Sequence, residues 1–372
     1  MLLADPEAMA YHDEPVLRDG VLVGKTTSAA YGHTLGATVA LATVRDGGEV
    51  DTAQRLHPVP GRRRGRHRRP NDHLAAPAVR PSIRPTQREK HLNRYILTLS
   101  CADRPGIVHS VTSGLLDVEA NINESAQYGD ADSGLFFIRT AFESPVDDVE
   151  KIREAVRSTT AHLGADLQVR PAGERCRVLI MVSAFDHCLV DLLYRWRIGD
   201  LPVDVVGVVS NHEICRPIAE QYGVPFEHVA VSAESKPEAE ARLLAIVKET
   251  DTDLVVLARY MQTLSNGLCL QLSSRAINIH HSFLPGFKGA RPYHQAHTRG
   301  VKLIGATAHY VTADLDEGPI IEQDVVRVRH SDSADQLVGI GRDVERRVLA
   351  GAVRAHAEHR VFLTGGRTVV FH

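Results

Sequence analysis

The segment AINIHHSFLPG, residues 276–286, starts like a buried strand and finishes on an asparagine, two histidines and a Pro-Gly turn. Side chains two apart on a strand point the same way, so Asn278 and His280 share a face and Ile279 takes the other. An amide that donates to oxygen, beside an imidazole that moves a proton, is part of an acyl-transfer site. The part still needed is a carboxylate to orient the imidazole or a water. Downstream, KLIGATAHYVTADLDEGPIIEQDVV reads as a strand, a loop and a second strand, with Asp314, Asp316 and Glu317 in the loop. Such a hairpin can return a carboxylate to the Asn/His edge. Taken singly, an Asn at a strand end is usually a turn residue, and a lone His is usually a hydrogen-bonded core group. His281 is expected to keep that structural role and hold the SFLPG turn, and Asp314 and Glu317 to be solvated loop residues.

These residues need a scaffold, and residues 175–372 supply one. Strands are read at RVLIMVS (177–183), VDVVGVVS (203–210), TDLVVLA (252–258) and AINIHH (276–281), with amphipathic helices at about 187–197, 213–222 and 236–249. Continuous apolar strands alternating with helices imply an α/β domain whose parallel sheet is covered on both faces. In such sheets ligands bind at the C-terminal strand edges. AINIHH ends there.

The stretch NIHHSFLPGFKGARPYHQAHTRGVKLIGATAHYVTADLDEGPIIEQDV resembles the catalytic core of the folate-dependent formyltransferases. Within that group it is most similar to the 10-formyltetrahydrofolate deformylases (formyltetrahydrofolate hydrolases). Members of that family also carry an N-terminal ACT domain and a C-terminal end like GRDVERRVLAGAVRAHAEHRVFLTGGRTVVF. The resemblance spans about residues 93–372. It implies a formyltransferase-like, Rossmann-like catalytic domain over 175–372, with Asn278, His280 and Asp316 as the catalytic trio and His309 nearby on the intervening strand. It also implies that LARYMQTLS (257–265) packs against the pterin. Leu257, Met261 and Leu264 would form apolar walls, and backbone groups around Arg259, Tyr260 and Met261 would meet the ring's hydrogen-bonding edge.

The activity implied is hydrolysis of 10-formyltetrahydrofolate to formate and tetrahydrofolate, supplying formate and balancing one-carbon and purine metabolism. The folate is the substrate; no prosthetic group and no metal are expected. The alternatives are formyl transfer to an amine such as glycinamide ribonucleotide, or an inactive folate or amino-acid sensor. A sugar-phosphate acceptor needs a cradle, commonly a glycine-rich loop after the first strand, and no glycine lies between Val182 and Leu193. Water is therefore the expected acceptor. Ser183, Asp186, His187 and Cys188 fit the deformylase pattern, whereas Ala184 stands where its members usually carry a basic residue.

Residues 91–172 have a different rhythm. RYILTLS (94–100) alternates as a strand, CADRPG turns, and IVHSVTSGLLD places Ile107, Val108, Val111, Leu115 and Leu116 at helical spacing. ANINESAQYGD and GLFFIRTAFE read as strands, VDDVEKIREAVRSTTAHLG as a helix and ADLQVR as a last strand. The βαββαβ order is ferredoxin-like and resembles an ACT regulatory domain. That resemblance implies a small-ligand site at Asp103, Arg104, Pro105, Gly106, Asn121 and Asn123, with methionine or glycine as effector, and a homo-oligomer paired through this domain. The turn leads into a helix N-terminus, which attracts carboxylates.

Residues 1–50 suggest two or three strands with tight turns at Asp19-Gly20 and Gly24. They resemble part of the C-terminal β-domain of the glycine-cleavage T-protein family, and are read as a truncated β fragment too short to bury a core alone. Residues 51–90 are Arg/Pro-rich and read as a disordered linker. Ten Lys/Arg against two acids fall in 61–90, so with a formal charge of -3 overall the rest of the chain is acidic. That disfavours nucleic-acid binding by the folded part. Arg62–Arg69 has no interleaved aromatics to suit a nucleic-acid tail. Five scattered cysteines give no ligand spacing. No apolar run spans a membrane and no signal pattern opens the chain, so a cytoplasmic protein is expected.

Overall fold

The computed structural model describes residues 92–286 and 292–372, and before them the backbone of four strands: β1 (Pro15–Arg18), β2 (Val21–Gly32), β3 (Ala37–Val44) and β4 (His57–Pro58). The chain divides into two compact units, Met1–Arg84 and Pro85–His372. The first is an antiparallel sheet in the order β3-β2-β1-β4. Gly24 lies within β2 and not at a turn, and His57–Pro58 pairs with β1 although 51–90 reads as linker. The Asp19-Gly20 turn, the Arg62–Arg69 run and the other linker positions lie outside the described residues.

The second unit opens with β5 (Asn93–Ala102), α1 (Ile107–Leu116), β6 (Asn121–Asp130), β7 (Leu135–Ser144), α2 (Val149–Thr160) and β8 (Asp166–Pro171). Its sheet runs β6-β7-β5-β8 with every neighbour antiparallel. Strict alternation on β5 buries Tyr95, Leu97, Leu99 and Cys101 against Ile107, Val111, Ile152 and Val156 of the two helices. The helices cross at Gly114, where a Cβ would stand 2.6 Å from the Val156 Cα. The other face of β7 is covered from the far end of the chain. The Phe137 ring lies 5.4 Å from that of Phe362, and Arg139 Nε donates to the Glu358 carbonyl at 3.0 Å.

The larger sheet takes β9 (Cys176–Val182), β10 (Val203–Ser210), β11 (Phe226–His228), β12 (Leu254–Leu257), β13 (Ala276–His280), β14 (Leu303–Tyr310) and β15 (Ile320–Arg327). Its order is β11-β10-β9-β12-β13-β14-β15. The first five are parallel; β14 and β15 form an antiparallel hairpin on β13. The sheet is thus mixed where the strand pattern implied a parallel one. Around it pack α3 (His187–Arg197), α4 (Arg216–Gln221), α5 (Lys236–Glu249), α6 (Asn266–Gln271), α7 (Pro292–Arg299) and α8 (Ala334–Ala357). A hairpin of β16 (Val361–Thr364) and β17 (Arg367–Val370) closes the chain. The helix read at 213–222 is a short 3-10 turn followed by α4. A capping box of Ser333 and Gln336 starts α8. Among the described residues no helix is long and apolar enough to cross a membrane.

Three histidines are held neutral by burial: His281 is pulled down to about 3, and His356 and His359 to about 4. His356 Nδ1 faces the Tyr310 hydroxyl at 2.7 Å, and Arg170 Nη1 lies 3.0 Å from a His359 ring nitrogen, so that nitrogen accepts. An unfolded histidine takes up its proton at about pH 6.5. The unfolded chain therefore binds more protons as pH falls below that value, and stability drops. The melting temperature should decline by several degrees from pH 7 to pH 5, and a flat profile over that window would contradict the burial of these rings.

Candidate active site

The register of β13 and β14 sets the centre of the site, because it pairs Asn278 with His309 and His280 with Thr307 at the C-terminal edge of the parallel strands. Asn278 Nδ2 lies 3.3 Å from His309 Nε2. His309 Nδ1 is 2.9 Å from the Tyr310 carbonyl, which only accepts, so Nδ1 carries hydrogen and Nε2 is the ring atom turned to the Asn278 amide and to Asp316. One amide N–H of Asn278 remains for a ligand.

His280 is buried, with Nδ1 3.2 Å from Asp316 Oδ2; its Nε2 has no hydrogen-bond partner among the described residues. The other oxygen, Asp316 Oδ1, is 3.8 Å from His309 Nε2. The three residues proposed as a trio therefore do meet, with both carboxylate oxygens turned to the two imidazoles. Burial alone would raise the Asp316 carboxyl, but hydrogen bonds and positive charge from His280 and His309 hold it well below the usual carboxylate range. Asp316 stands in the left-handed region with φ 58°. Its loop is tied down at Gly318, where a Cβ would sit 1.7 Å from the Tyr310 carbonyl oxygen, so only glycine lets the chain pass.

A cavity of about 710 Å³ opens on this centre. Leu257, Arg259, Tyr260, Met261, Leu264 and His309 all line it. Leu257 is buried and Met261 is 53% exposed. Residues 258–264 form no helix; α6 begins only after the Ser265 cap. Arg259 has φ 65°, turning the chain out of β12. Its carbonyl accepts from the Ser183 amide at 3.2 Å, and the Met261 amide donates to Ser183 Oγ at 2.9 Å. Those two backbone groups, expected to face a ring edge, are thus engaged by Ser183. Burial pushes the Tyr260 phenol up to about 12.

His281 does not hold the SFLPG turn. That turn is held by Ser282 Oγ to the Gly286 carbonyl, and by Thr307 and Gln323, which bond the backbone at 282 and 284. The His281 ring instead lies between those of His280, 5.1 Å away, and Tyr293, 6.2 Å away. Asp314 and Glu317 are exposed on the loop.

In the cavity wall lies a buried acid that the sequence reading missed. Glu345 of α8 is 1% exposed; its carboxylate accepts from the Tyr293 hydroxyl at 2.7 Å and meets His187 Nε2 at 2.9 Å and Arg259 Nε at 3.4 Å. The available signal was an acid on the apolar face of α8, between Val344 and Val348. The carboxyl is kept below the ordinary glutamate range by these donors against the opposing effect of burial. His187, Cys188 and Glu345 have ligand-type atoms within 4.8 Å of one another. Both Glu345 oxygens already face hydrogen donors, with a guanidinium beside one of them, so the cluster fits a hydrogen-bonded network better than a cation. Phe185, in the connection from β9 to α3, lines the cavity between Arg259 and Arg342, whose guanidinium carbons lie 5.7 and 5.8 Å from its ring centre. Ala184 is exposed.

The residues expected to bind an effector stand apart from this cavity and from one another. Gly106 caps α1 with φ 93°, the Asp103 amide donates to the Gly134 carbonyl at 2.8 Å, and Arg104 reaches the carbonyls of His162 and Leu163. Ala102 aligns through Leu135 with Asp130, whereas Asn121 aligns with Glu143 at the other end of β6. Asn121 and Asn123 are exposed there, a strand's length from Asp103–Gly106. One copy of the chain does not assemble this set.

Residues 176–353 match the family model of the formyl transferases, and residues 1–64 that of the glycine cleavage T-protein C-terminal barrel domain. A formyltetrahydrofolate deformylase from Corynebacterium sp. (strain P-1) is 52% identical over 279 residues, 74% of this chain and 98% of that protein. The crystal structure of a formyltetrahydrofolate deformylase from Burkholderia mallei superposes with a TM-score of 0.72 at 49% identity, covering 75% of this chain and all of that one. A glycinamide ribonucleotide transformylase from Symbiobacterium toebii reaches 0.51 at 32% identity, covering 53% of this chain and 95% of that one. The deformylase likeness extends over both halves of the second unit; the transformylase likeness covers a smaller share of the chain.

Proposed function

The chain belongs to the formyltetrahydrofolate deformylase family and hydrolyses 10-formyltetrahydrofolate, and on that premise we propose that Asn278, His280 and Asp316 carry out the reaction in the cavity under β13. The observation that carries the assignment is the contact of His280 Nδ1 with Asp316 at 3.2 Å, beside an amide held at 3.3 Å from His309. Asn278 donates its remaining N–H to the formyl oxygen as that oxygen gains charge. Asp316, held ionised, places a water against the formyl carbon. Water adds, the C–N10 bond breaks, and the proton released by water travels through His280 Nε2 to N10. The products are tetrahydrofolate and formate. Leu257, Met261 and Leu264 pack the pterin, with Arg259, Tyr260 and His309 completing the pocket. No glycine lies between Val182 and Leu193, so no glycine-rich cradle for a sugar phosphate follows β9, which supports water as the acceptor.

The βαββαβ half is proposed to be an ACT domain that senses an amino acid, methionine or glycine, and pairs two copies. Its β6 is an edge strand with Ile122 and Tyr128 exposed. Edge strands of this kind pair readily, and a two-fold pairing along β6 would bring Asn121 and Asn123 of one copy to the Asp103–Gly106 turn of the other. The division into an N-terminal β fragment, a linker, an ACT domain over 91–172 and a catalytic domain over 175–372, in a cytoplasmic protein, is part of the same reading.

The test is to incubate the purified chain with 10-formyltetrahydrofolate and measure formate, with and without glycinamide ribonucleotide. Formate should appear at the same rate in both, and a chain starting near residue 91 should match it. Acceleration by the ribonucleotide with loss of formate would replace hydrolysis by transfer. Inactivity of the shortened chain would show that the first unit takes part.

A further inference from the structure

Glu345 is the most deeply buried ionisable group of the cavity wall, and its partners come from three separate elements. His187 is the first residue of α3, Tyr293 lies on α7, and Arg259 follows β12. All four line the cavity. The packing makes this contact specific: α8 approaches the Tyr293 ring so closely that a Cβ at Gly341 would stand 2.1 Å from it. A buried ion pair adds little net stability over apolar residues of the same size. What it does provide is a fixed geometry for its partners. Arg259 is the partner with most to lose: its side chain is 10% exposed, its Nε has no hydrogen bond among the described residues, and its backbone stands at φ 65°. Glu345, 3.4 Å from that Nε, is its counter-ion among the described residues, while Ser183 holds the turn from the backbone side.

We propose that Glu345 is a positioning residue for folate binding: it pins the Arg259 guanidinium and so fixes the turn 259–261 that walls the cavity beside β13. The inference rests on the reading of this cavity as the folate site. Without the carboxylate a buried guanidinium is left uncompensated and turns toward solvent, taking the wall with it. The trio is carried by β13 and the 312–319 loop, so the chemical step is affected less than binding.

The experiment compares Glu345→Gln, Glu345→Asp and Val348→Ala in the full-length protein by steady-state formate release and melting temperature. Val348 is a buried apolar residue one turn on from Glu345 and outside the cavity. Glu345→Gln should raise KM about tenfold or more and change kcat by less than about threefold. Glu345→Asp, which keeps the charge, should recover part of the KM. Val348→Ala should lower the melting temperature and leave KM as it is. Adding Arg259→Met to Glu345→Gln should raise KM no further, because the glutamate acts through the arginine. An unchanged KM in Glu345→Gln, or an equal rise in Val348→Ala, overturns the proposal while leaving the hydrolase intact. If Glu345→Gln does not fold, a Glu345→Asp enzyme with wild-type KM and a strictly additive Arg259→Met effect has the same force. A wild-type protein that releases no formate overturns the folate reading itself, and this inference with it.

Discussion

Asp316→Asn is expected to lower kcat for formate release by about a hundred- to a thousand-fold, with the protein still folded and KM little changed. The carboxylate sits at 12% side-chain exposure with one oxygen on His280 and the other toward His309. An asparagine there keeps the shape but removes the charge that supports a protonated imidazole, and its NH2 turns a donor toward a ring nitrogen. The wild-type carboxylate is also predicted to stay ionised at every pH the folded protein meets, because the two histidines hold it below the carboxylate range. The depressed value means that protonation is resisted as pH falls, so activity should show no step of its own near pH 4. Stopped-time formate assays across pH, with circular dichroism as the check on folding, decide the matter. A variant within tenfold of the wild type would remove Asp316 from the chemistry.

Asn278→Ala is expected to cost about the same, a hundred- to a thousand-fold, for a different reason. In the proposed mechanism the amide donates to the formyl oxygen, and its worth lies in the transition state, where that oxygen becomes negative. Loss should therefore fall on kcat and on kcat/KM together. Asn278 is also paired by register with His309 and joined to it at 3.3 Å, so truncation frees the His309 ring. A His309→Gln comparison separates the two effects: a much smaller loss there leaves the amide as the main stabiliser. Equal losses in both would mean that the pair orients the site and the amide does no direct work on the oxygen.

Local order was legible wherever one face of an element meets a core. The alternation of RYILTLS, the continuous apolar runs of β9, β10 and β12, and the periodicity of the helices each report burial residue by residue. Short or locally ambiguous pieces were not. β11 has three residues and α6 has six, too few for a period to show. The turn at Gly24 and the SFLPG role of His281 were read from residue types that are common in turns, while the actual constraints came from a continuing strand in one case and from Thr307 and Gln323, distant in sequence, in the other.

Residue types and two-residue spacing on a strand already placed Asn278 and His280 on one face, which covalent order fixes because alternation needs no tertiary contact; the following hairpin offered three acids, Asp314, Asp316 and Glu317, and the family resemblance pointed to Asp316. The left-handed turn that aims Asp316, the close pass at Gly318 that permits it, and the buried Glu345 that reaches Arg259 from α8 were decided only by three-dimensional packing. Those depend on which surfaces meet across dozens of residues, and a one-dimensional pattern carries no record of the distance between side chains on different elements.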